Sequence, residues 1–167
     1  MALLQVDGYL VSTAFVDEFV REALRYKPHP DDILIVSDPK CGTTWMQHIM
    51  YNILNSRPPP RGLFEQSTAM PFLELQGAEH IYINRSPYDY CLSYYYHTKG
   101  LPEYRFQDGT FDEIFDMFLE GLVDFADYFE QGLSWYARRF DDNVLFVAYE
   151  DLKKDTAIWI MRIADYR

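Results

Sequence analysis

The sequence predicts one α/β domain with a mainly parallel sheet, spanning all 167 residues. Two observations support this fold class. Residues 33–37, 80–84 and 143–149 are short apolar runs rich in β-branched residues, which is typical of buried strands. Each run is followed by a segment with helical spacing, and strands that alternate with helices indicate a parallel sheet with crossover connections. We therefore expect a ligand at the carboxyl ends of the strands.

The remaining elements follow from periodicity and from turn residues. Two prolines within residues 27–32 end the first predicted helix, and Pro87 is favourable in the first turn of the helix that it opens. An irregular stretch is expected after residues 57–61, where the sequence reads RPPPR. The predicted helices cover residues 14–26, 43–55, 87–100, 110–121 and 125–139, with a last helix that begins at Asp151.

Charge and composition narrow the function. The formal net charge is −11, so nucleic-acid binding is not expected, and an anionic ligand would need locally placed cations and helix N-termini. The two cysteines, Cys41 and Cys91, do not form a disulfide framework. The N-terminus lacks the pattern of a signal peptide, and no apolar run approaches the roughly 18 residues of a membrane span. We expect a cytoplasmic protein with a small-molecule partner and no membrane association.

The loop after the first predicted strand is a candidate anion site. Gly42 allows a tight turn and a close approach of the backbone to a ligand, while Thr43 and Thr44 add hydroxyl donors at a helix N-terminus. Lys40 adds a mobile cation. The order differs from the Walker A pattern, in which lysine follows the second glycine, so an ATP or GTP site is disfavoured. A simple helix cap with a surface lysine remains open on this pattern alone.

A second candidate pair follows the next strand. Arg85 stands at its carboxyl end, and Ser93 lies about two helical turns further along. A guanidinium can hold a phosphate through two hydrogen bonds. An ordinary surface arginine and a helix serine would give the same local pattern.

The two loops together resemble the cytosolic sulfotransferase family. Residues 31–52 include PKCGTTW, which is similar to the family pattern P-K-[ST]-G-T-T-W. Residues 81–96 are similar to the family element that holds a 3′-phosphate, and residues 110–155 contain the sequence Tyr-Glu-Asp after a strand, as the family does. Residues 94–100 also resemble arthropod members of the family.

This resemblance implies a P-loop-like, three-layer domain that uses 3′-phosphoadenosine 5′-phosphosulfate (PAPS) as donor, needs no metal, and sulfates a hydroxyl or amine of a small acceptor. It implies that Lys40 is catalytic and contacts the leaving group, and that Cys41, where the family has serine, contributes its backbone N–H. The other implied donor-binding residues are Gly42, Thr43 and Thr44 at the 5′-phosphate, Trp45 and Tyr149 near the adenine, and Arg85 and Ser93 at the 3′-phosphate.

Three departures from the family pattern bear on activity. The family carries a strand ending in a K-T-H-like motif whose histidine is the general base, but residues 71–78 lead directly to the arginine strand without it. We therefore expect one central strand to be missing, and loss of a general base costs roughly 10²–10⁴-fold in rate. His29, His48, His80 and His97 do not align with that base. The second departure is Cys41, which stands where the family has serine. The third is that the family sequence continues beyond the position of Arg167 to an R-K-G loop.

These departures leave two functions open. The first is a sulfotransferase, and the second is a catalytically impaired module or fragment that binds PAPS or its desulfated product 3′-phosphoadenosine 5′-phosphate (PAP). A P-loop kinase or NTPase is a third and less favoured class because of the lysine position. An aromatic cluster is formed by Phe125, Tyr128, Phe129 and Trp135. We expect these side chains either to pack their helix against the core or to face the acceptor.

Overall fold

The computed structural model describes residues 1–29, 31–55, 79–125 and 127–166. The predicted irregular stretch that follows residues 57–61 and the bridge at residues 71–78 lie outside these ranges. The strands are β1 (Leu3–Val6), β2 (Tyr9–Ser12), β3 (Ile33–Val36), β4 (Glu79–Asn84) and β5 (Val144–Ala148). The helices are α1 (Asp17–Arg25), α2 (Thr43–Leu54), α3 (Pro87–Gly100), α4 (Phe111–Leu119), α5 (Tyr128–Ala137), α6 (Tyr149–Lys154) and α7 (Thr156–Asp165), with a 3₁₀ turn at Pro102–Tyr104.

The central sheet has the strand order β3-β4-β5, and both pairings are parallel. Leu34 pairs with His80, which in turn pairs with Val144, so β4 is bonded on both sides. The predicted α/β class and the parallel sheet are thereby confirmed. The described part of the sheet has no gap between its strands, and within it β3 and β5 are edges, so a further strand would pair at one of those edges.

Side-chain alternation along β4 explains the layers. Ile81 and Ile83 point to one face and pack against α2, α6 and α7, in an apolar cluster that includes Met46 and Leu152. Tyr82 points to the other face, where the Trp135 ring of α5 stacks on it with centroids 5.2 Å apart. Helices therefore cover both faces, as the three-layer prediction required.

Several helix starts carry the expected caps. The Thr110 side chain accepts from the Glu113 backbone, and Glu113 reaches back to the Thr110 backbone, which makes a capping box at α4. Asp127 caps α5 and Asp155 caps α7 through their carboxylates. The cap at Asp127 explains why α5 begins at Tyr128, three residues later than predicted, and the cap at Asp155 explains why the single last helix predicted from Asp151 is two helices, α6 and α7.

The N-terminal hairpin of β1 and β2 was not predicted. Its two strands pair antiparallel around Asp7 and Gly8, whose φ angles of 49° and 96° are the positive values that a type I′ turn requires. An Asp-Gly pair between apolar residues is the usual sequence signal for such a turn. The hairpin matters because it reaches the functional cavity.

No helix within the described ranges is long and apolar enough to cross a bilayer. The expected location in the cytoplasm stays a prediction.

Candidate functional site

The carboxyl ends of the three parallel strands meet at one cavity of about 930 Å³. The loop after β3 supplies Lys40 and Gly42, the residue after β4 is Arg85, and the residue after β5 is Tyr149. The crossovers of a parallel sheet bring these ends to the same edge. Residues that are far apart in the sequence therefore form one site because the parallel sheet places the ends of their strands side by side.

The cavity brings together most of the predicted site residues. Lining it are Lys40, Gly42, Thr43, Thr44, Trp45, Arg85, Ser93 and Tyr149. Cys41 is different, because its side chain is fully buried in an aromatic core cluster with Tyr90 and Tyr94. Burial, followed by the charge of Asp38, raises the pKa of the Cys41 thiol. The thiol is thus a packed, protonated group that does not face the cavity.

Gly42 sets the shape of the loop. Its φ of 107° is in the left-handed region, and it is the N-cap residue of α2, whose Met46 N–H donates to the Gly42 carbonyl at 2.9 Å. A Cβ at Gly42 would lie 2.9 Å from Tyr149 Cδ2 and 3.1 Å from Ile83 Cδ1. The first turn of α2 contains no acidic residue, so its free N–H groups are open to an anion.

Arg85 is a fixed cation at this edge. Its Nη1 donates to the Lys40 carbonyl at 2.9 Å, and its Cζ lies 4.7 Å from the centroid of the Tyr149 ring. Its Nε is buried without a hydrogen-bond partner, and no carboxylate of the described chain pairs with the guanidinium. A cation that is held in place without a counter-charge is suited to an anionic ligand.

The junction between β4 and α3 holds Arg85 in position. Asn84 Oδ1 accepts from the Arg85 backbone N–H at 2.9 Å and from the Tyr128 hydroxyl at 2.7 Å. The Ser86 N–H donates to Glu150 Oε1 at 2.8 Å, which ties α3 to α6. Lys40, in contrast, is exposed and has a φ of 67°, and its ammonium makes no hydrogen bond with the described residues. The site therefore combines one rigid and one mobile cation.

Two of the four histidines line the cavity, His48 on α2 and His97 on α3. His97 follows Ser93 by four residues, so both lie on the same helix face. Partial burial and, secondarily, the Lys40 charge lower the pKa of His97. The sequence analysis did not include either histidine among the site residues, although the four-residue spacing of Ser93 and His97 was a usable signal.

The opposite end of the cavity is aromatic, and the sequence analysis did not identify most of it. Tyr9 comes from β2, Phe15 precedes α1, Phe19 lies on α1, and Tyr104 ends the 3₁₀ turn. Phe125 also lines it, whereas Tyr128, Phe129 and Trp135, which were grouped with Phe125, are not among the lining residues. No local pattern joins segments so distant in sequence.

Asp124 lies in this aromatic wall and is 1% exposed. The Tyr104 hydroxyl donates to Oδ2, and the Asp124 backbone N–H donates to the Tyr94 hydroxyl at 3.2 Å. Burial raises the pKa of the Asp124 carboxyl to about 6, although the nearby hydroxyls of Tyr104 and Tyr94 act in the opposite direction. The fold therefore keeps a carboxylate where its charge is unfavourable.

No cluster of His, Cys, Asp and Glu side chains among the described residues could hold a metal ion.

Comparison with known proteins assigns the family. The family profile described as "Sulfotransferase domain" matches residues 30–80 and 73–167. The chain belongs to the sulfotransferase family. It is 27% identical to sulfotransferase 1C2 of Oryctolagus cuniculus over 201 aligned positions, covering 98% of this chain and 67% of that protein. It is 28% identical to sulfotransferase 6B1 of Danio rerio, covering 98% of this chain and 66% of the relative.

Solved structures agree with this fold. Mouse sulfotransferase SULT7A1 complexed with PAP matches with a TM-score of 0.74 at 25% identity, covering 98% of this chain and 68% of that chain. Retinol dehydratase in a complex with retinol and PAP matches with a TM-score of 0.73 at 21% identity, covering 96% and 66% of the two chains, which supports the fold alone.

The chain spans about two thirds of the length of these relatives. The 201 aligned positions exceed the 167 residues of the chain, so the relative has internal residues with no counterpart here. The two profile matches overlap at residues 73–80, just before the arginine strand. This pattern is the one expected if the sulfotransferase segment with the K-T-H-like motif is absent.

Gly42→Ala should destabilise the fold by about 1–3 kcal/mol, because a left-handed backbone position would gain a Cβ in contact with Tyr149 and Ile83. Chemical denaturation measures the loss. Gly100→Ala is the matched control, since nothing lies within 4 Å of a Cβ there. Equal effects of the two substitutions would contradict the close approach at Gly42.

Asp124→Asn should change how stability depends on pH. With a folded pKa of about 6 against 3.8, the carboxyl costs the wild type stability as pH rises from about 4 to about 6, by roughly 3 kcal/mol in total. The difference in Tm, variant minus wild type, should therefore increase across that window. Asp116→Asn, at an exposed position on α4, is the control. A flat difference for Asp124→Asn would disprove the raised pKa.

Proposed function

We propose that this chain binds PAPS and transfers its sulfuryl group to a hydroxyl or amine of a small acceptor. The observation that carries the proposal is the meeting of Lys40, the α2 N-terminus, Arg85 and Ser93 at one cavity in a member of the sulfotransferase family. The PAP complex of the mouse neighbour, at 25% identity, supports the same ligand class here.

Donor binding follows from the placement of charge. The free N–H groups of α2 and the hydroxyls of Thr43 and Thr44 suit the 5′-phosphosulfate. Arg85 and Ser93, on the β4 side of the cavity, suit the 3′-phosphate. The net charge of −11 opposes any anion at long range, so these local donors must supply the affinity.

The adenine has an aromatic surface available. The Trp45 and Tyr149 rings meet edge to face with centroids 5.7 Å apart, and both line the cavity. Because Arg85 stacks on Tyr149, the same ring would link the 3′-phosphate residue to the base-binding surface.

Sulfuryl transfer breaks the bond between sulfur and the bridging phosphate oxygen and forms a bond between sulfur and the acceptor oxygen or nitrogen. Lys40 would stabilise the negative charge that develops on the bridging oxygen, as its exposed ammonium is free to follow the leaving group. The acceptor must lose a proton to a base.

His97 is the base that best suits this step. It shares the cavity with Lys40, and its lowered pKa keeps the imidazole neutral at pH 7 and able to take a proton. His97 would thus perform the task that the K-T-H histidine performs in the family. His48 is the other histidine of the cavity wall and provides a natural comparison.

A second candidate function is binding of PAPS or PAP without turnover. It is favoured by the internal residues of the relatives that have no counterpart here. The two candidates share the donor site and differ only in the presence of a working base, so they separate in kinetics and not in nucleotide binding.

Arg85→Ala should weaken PAP binding by roughly tenfold to a hundredfold, because a charged donor to phosphate is lost. Isothermal titration of the purified chain with PAP measures this. Arg25→Ala, at the exposed end of α1, should bind as the wild type does. Absence of PAP binding by folded wild-type protein would rule out both candidate functions.

His97→Gln should lower the turnover of 4-nitrophenol with PAPS by roughly 10²–10⁴-fold while PAP affinity stays unchanged. Since the pKa of His97 is lowered from 6.5, the wild-type rate should reach half of its maximum only below pH 6.5. His48→Gln should retain most of the rate. If the wild type binds PAP but sulfates no acceptor, the second candidate function, nucleotide binding without turnover, is the one that remains. Equal losses of rate in His97→Gln and His48→Gln would reject His97 as the base.

A further inference from the structure

Only one of the two carboxylate oxygens of Asp124 accepts a hydrogen bond from the described residues. Oδ2 accepts from the Tyr104 hydroxyl, while Oδ1 is buried and has no hydrogen-bond partner within the described ranges. A buried polar atom without a partner costs about 1–3 kcal/mol, and more when it is charged. Since Asp124 is one of the residues that line the cavity, a bound molecule is a natural source of the missing donor.

No cation of the described chain neutralises Asp124. The salt bridges among the described residues join Arg21 to Asp7 and Asp17, and Arg138 to Asp141. The Arg85 guanidinium contacts the Lys40 carbonyl and the Tyr149 ring, and it forms no ion pair with Asp124. A single buried carboxylate of this kind is expected to pair with a cation that the ligand supplies.

The wall around Asp124 suits a cation on an apolar body. Tyr9, Phe15, Phe19 and Phe125 present aromatic surface to the cavity, and the Phe15 and Phe125 rings meet edge to face at 6.4 Å. Aromatic faces attract ammonium groups and also stack against aromatic ligands. The chemistry of this end therefore matches an aromatic amine.

The backbone next to Asp124 is held firmly. Phe125 has a φ of 65°, which is unusual for a bulky residue, and its N–H donates to the Leu10 carbonyl of β2 at 2.7 Å. The Asp124 N–H is bonded to Tyr94 of α3. The carboxylate is thus positioned by three separate elements before any ligand arrives, which favours selective binding.

We propose that the acceptor is an aromatic compound that carries both an ammonium group and a hydroxyl. The ammonium would bind against Asp124 Oδ1, and the hydroxyl, which would be sulfated, would point toward Lys40 and His97. The direction of the hydroxyl rests on the proposed sulfuryl transfer, whereas the amine contact does not. A neutral alcohol could also donate to Oδ1, but a charge-assisted hydrogen bond is stronger and also balances the buried charge.

The test compares tyramine with 4-propylphenol, a neutral phenol of nearly the same shape. Both are titrated at pH 7.5 into the full chain, with and without saturating PAP. We expect tyramine to bind at least tenfold tighter to the wild type and the two ligands to bind alike to Asp124→Asn. Asp116→Asn, with the same substitution at an exposed site, should keep the tyramine preference.

Equal affinities in the wild type, or a tyramine preference that survives in Asp124→Asn, would overturn the proposal. Thermal unfolding of Asp124→Asn excludes a folding artefact, because a cooperative transition shows that the variant is folded when its ligand preference is measured. Failure of PAP to bind would reject the proposed function separately, since the titration without PAP still reports on Asp124.

Discussion

The left-handed turn at Gly42 is the constraint on which the site depends. It lets the loop after β3 pass within contact of Ile83 and Tyr149, at the ends of the other two strands of the sheet. The same turn starts α2, so the helix N-terminus lies beside the two cations of the cavity. A larger residue at position 42 would separate the loop from the strand ends. The N–H groups of α2 and the two cations would then no longer point toward the same part of the cavity.

Electrostatics explains how an acidic chain can hold an anion. The charge of −11 is a property of the whole chain, whereas the cavity edge contains Lys40, Arg85 and a helix N-terminus without acidic residues in its first turn. Interactions at contact distance outweigh a field that salt screens within about 8–10 Å. The overall acidic charge would then act mainly on the rate at which an anionic ligand arrives.

The residues of the proposed donor end could be picked out from the sequence because their signals are local. PKCGTTW and the Arg-Ser-Pro turn each follow a recognisable strand, and a parallel sheet joins strand ends in only one way. The aromatic end was missed because Tyr9, Tyr104 and Asp124 come from distant segments with no shared pattern. Only tertiary packing reveals that Asp124 is buried and that one of its oxygens has no partner.

Helix α3 connects the two ends of the cavity. It begins just after Arg85, presents Ser93 and His97 on its cavity face, and uses the neighbouring Tyr94 to hold the Asp124 backbone. Because a helix rises 1.5 Å per residue with little flexibility, it fixes the spacing between Ser93, a proposed 3′-phosphate residue, and His97, the proposed base. An acceptor held at Asp124 would then have to span the distance from that carboxylate to His97, so the packing of α3 against Asp124 would set the length of the acceptor.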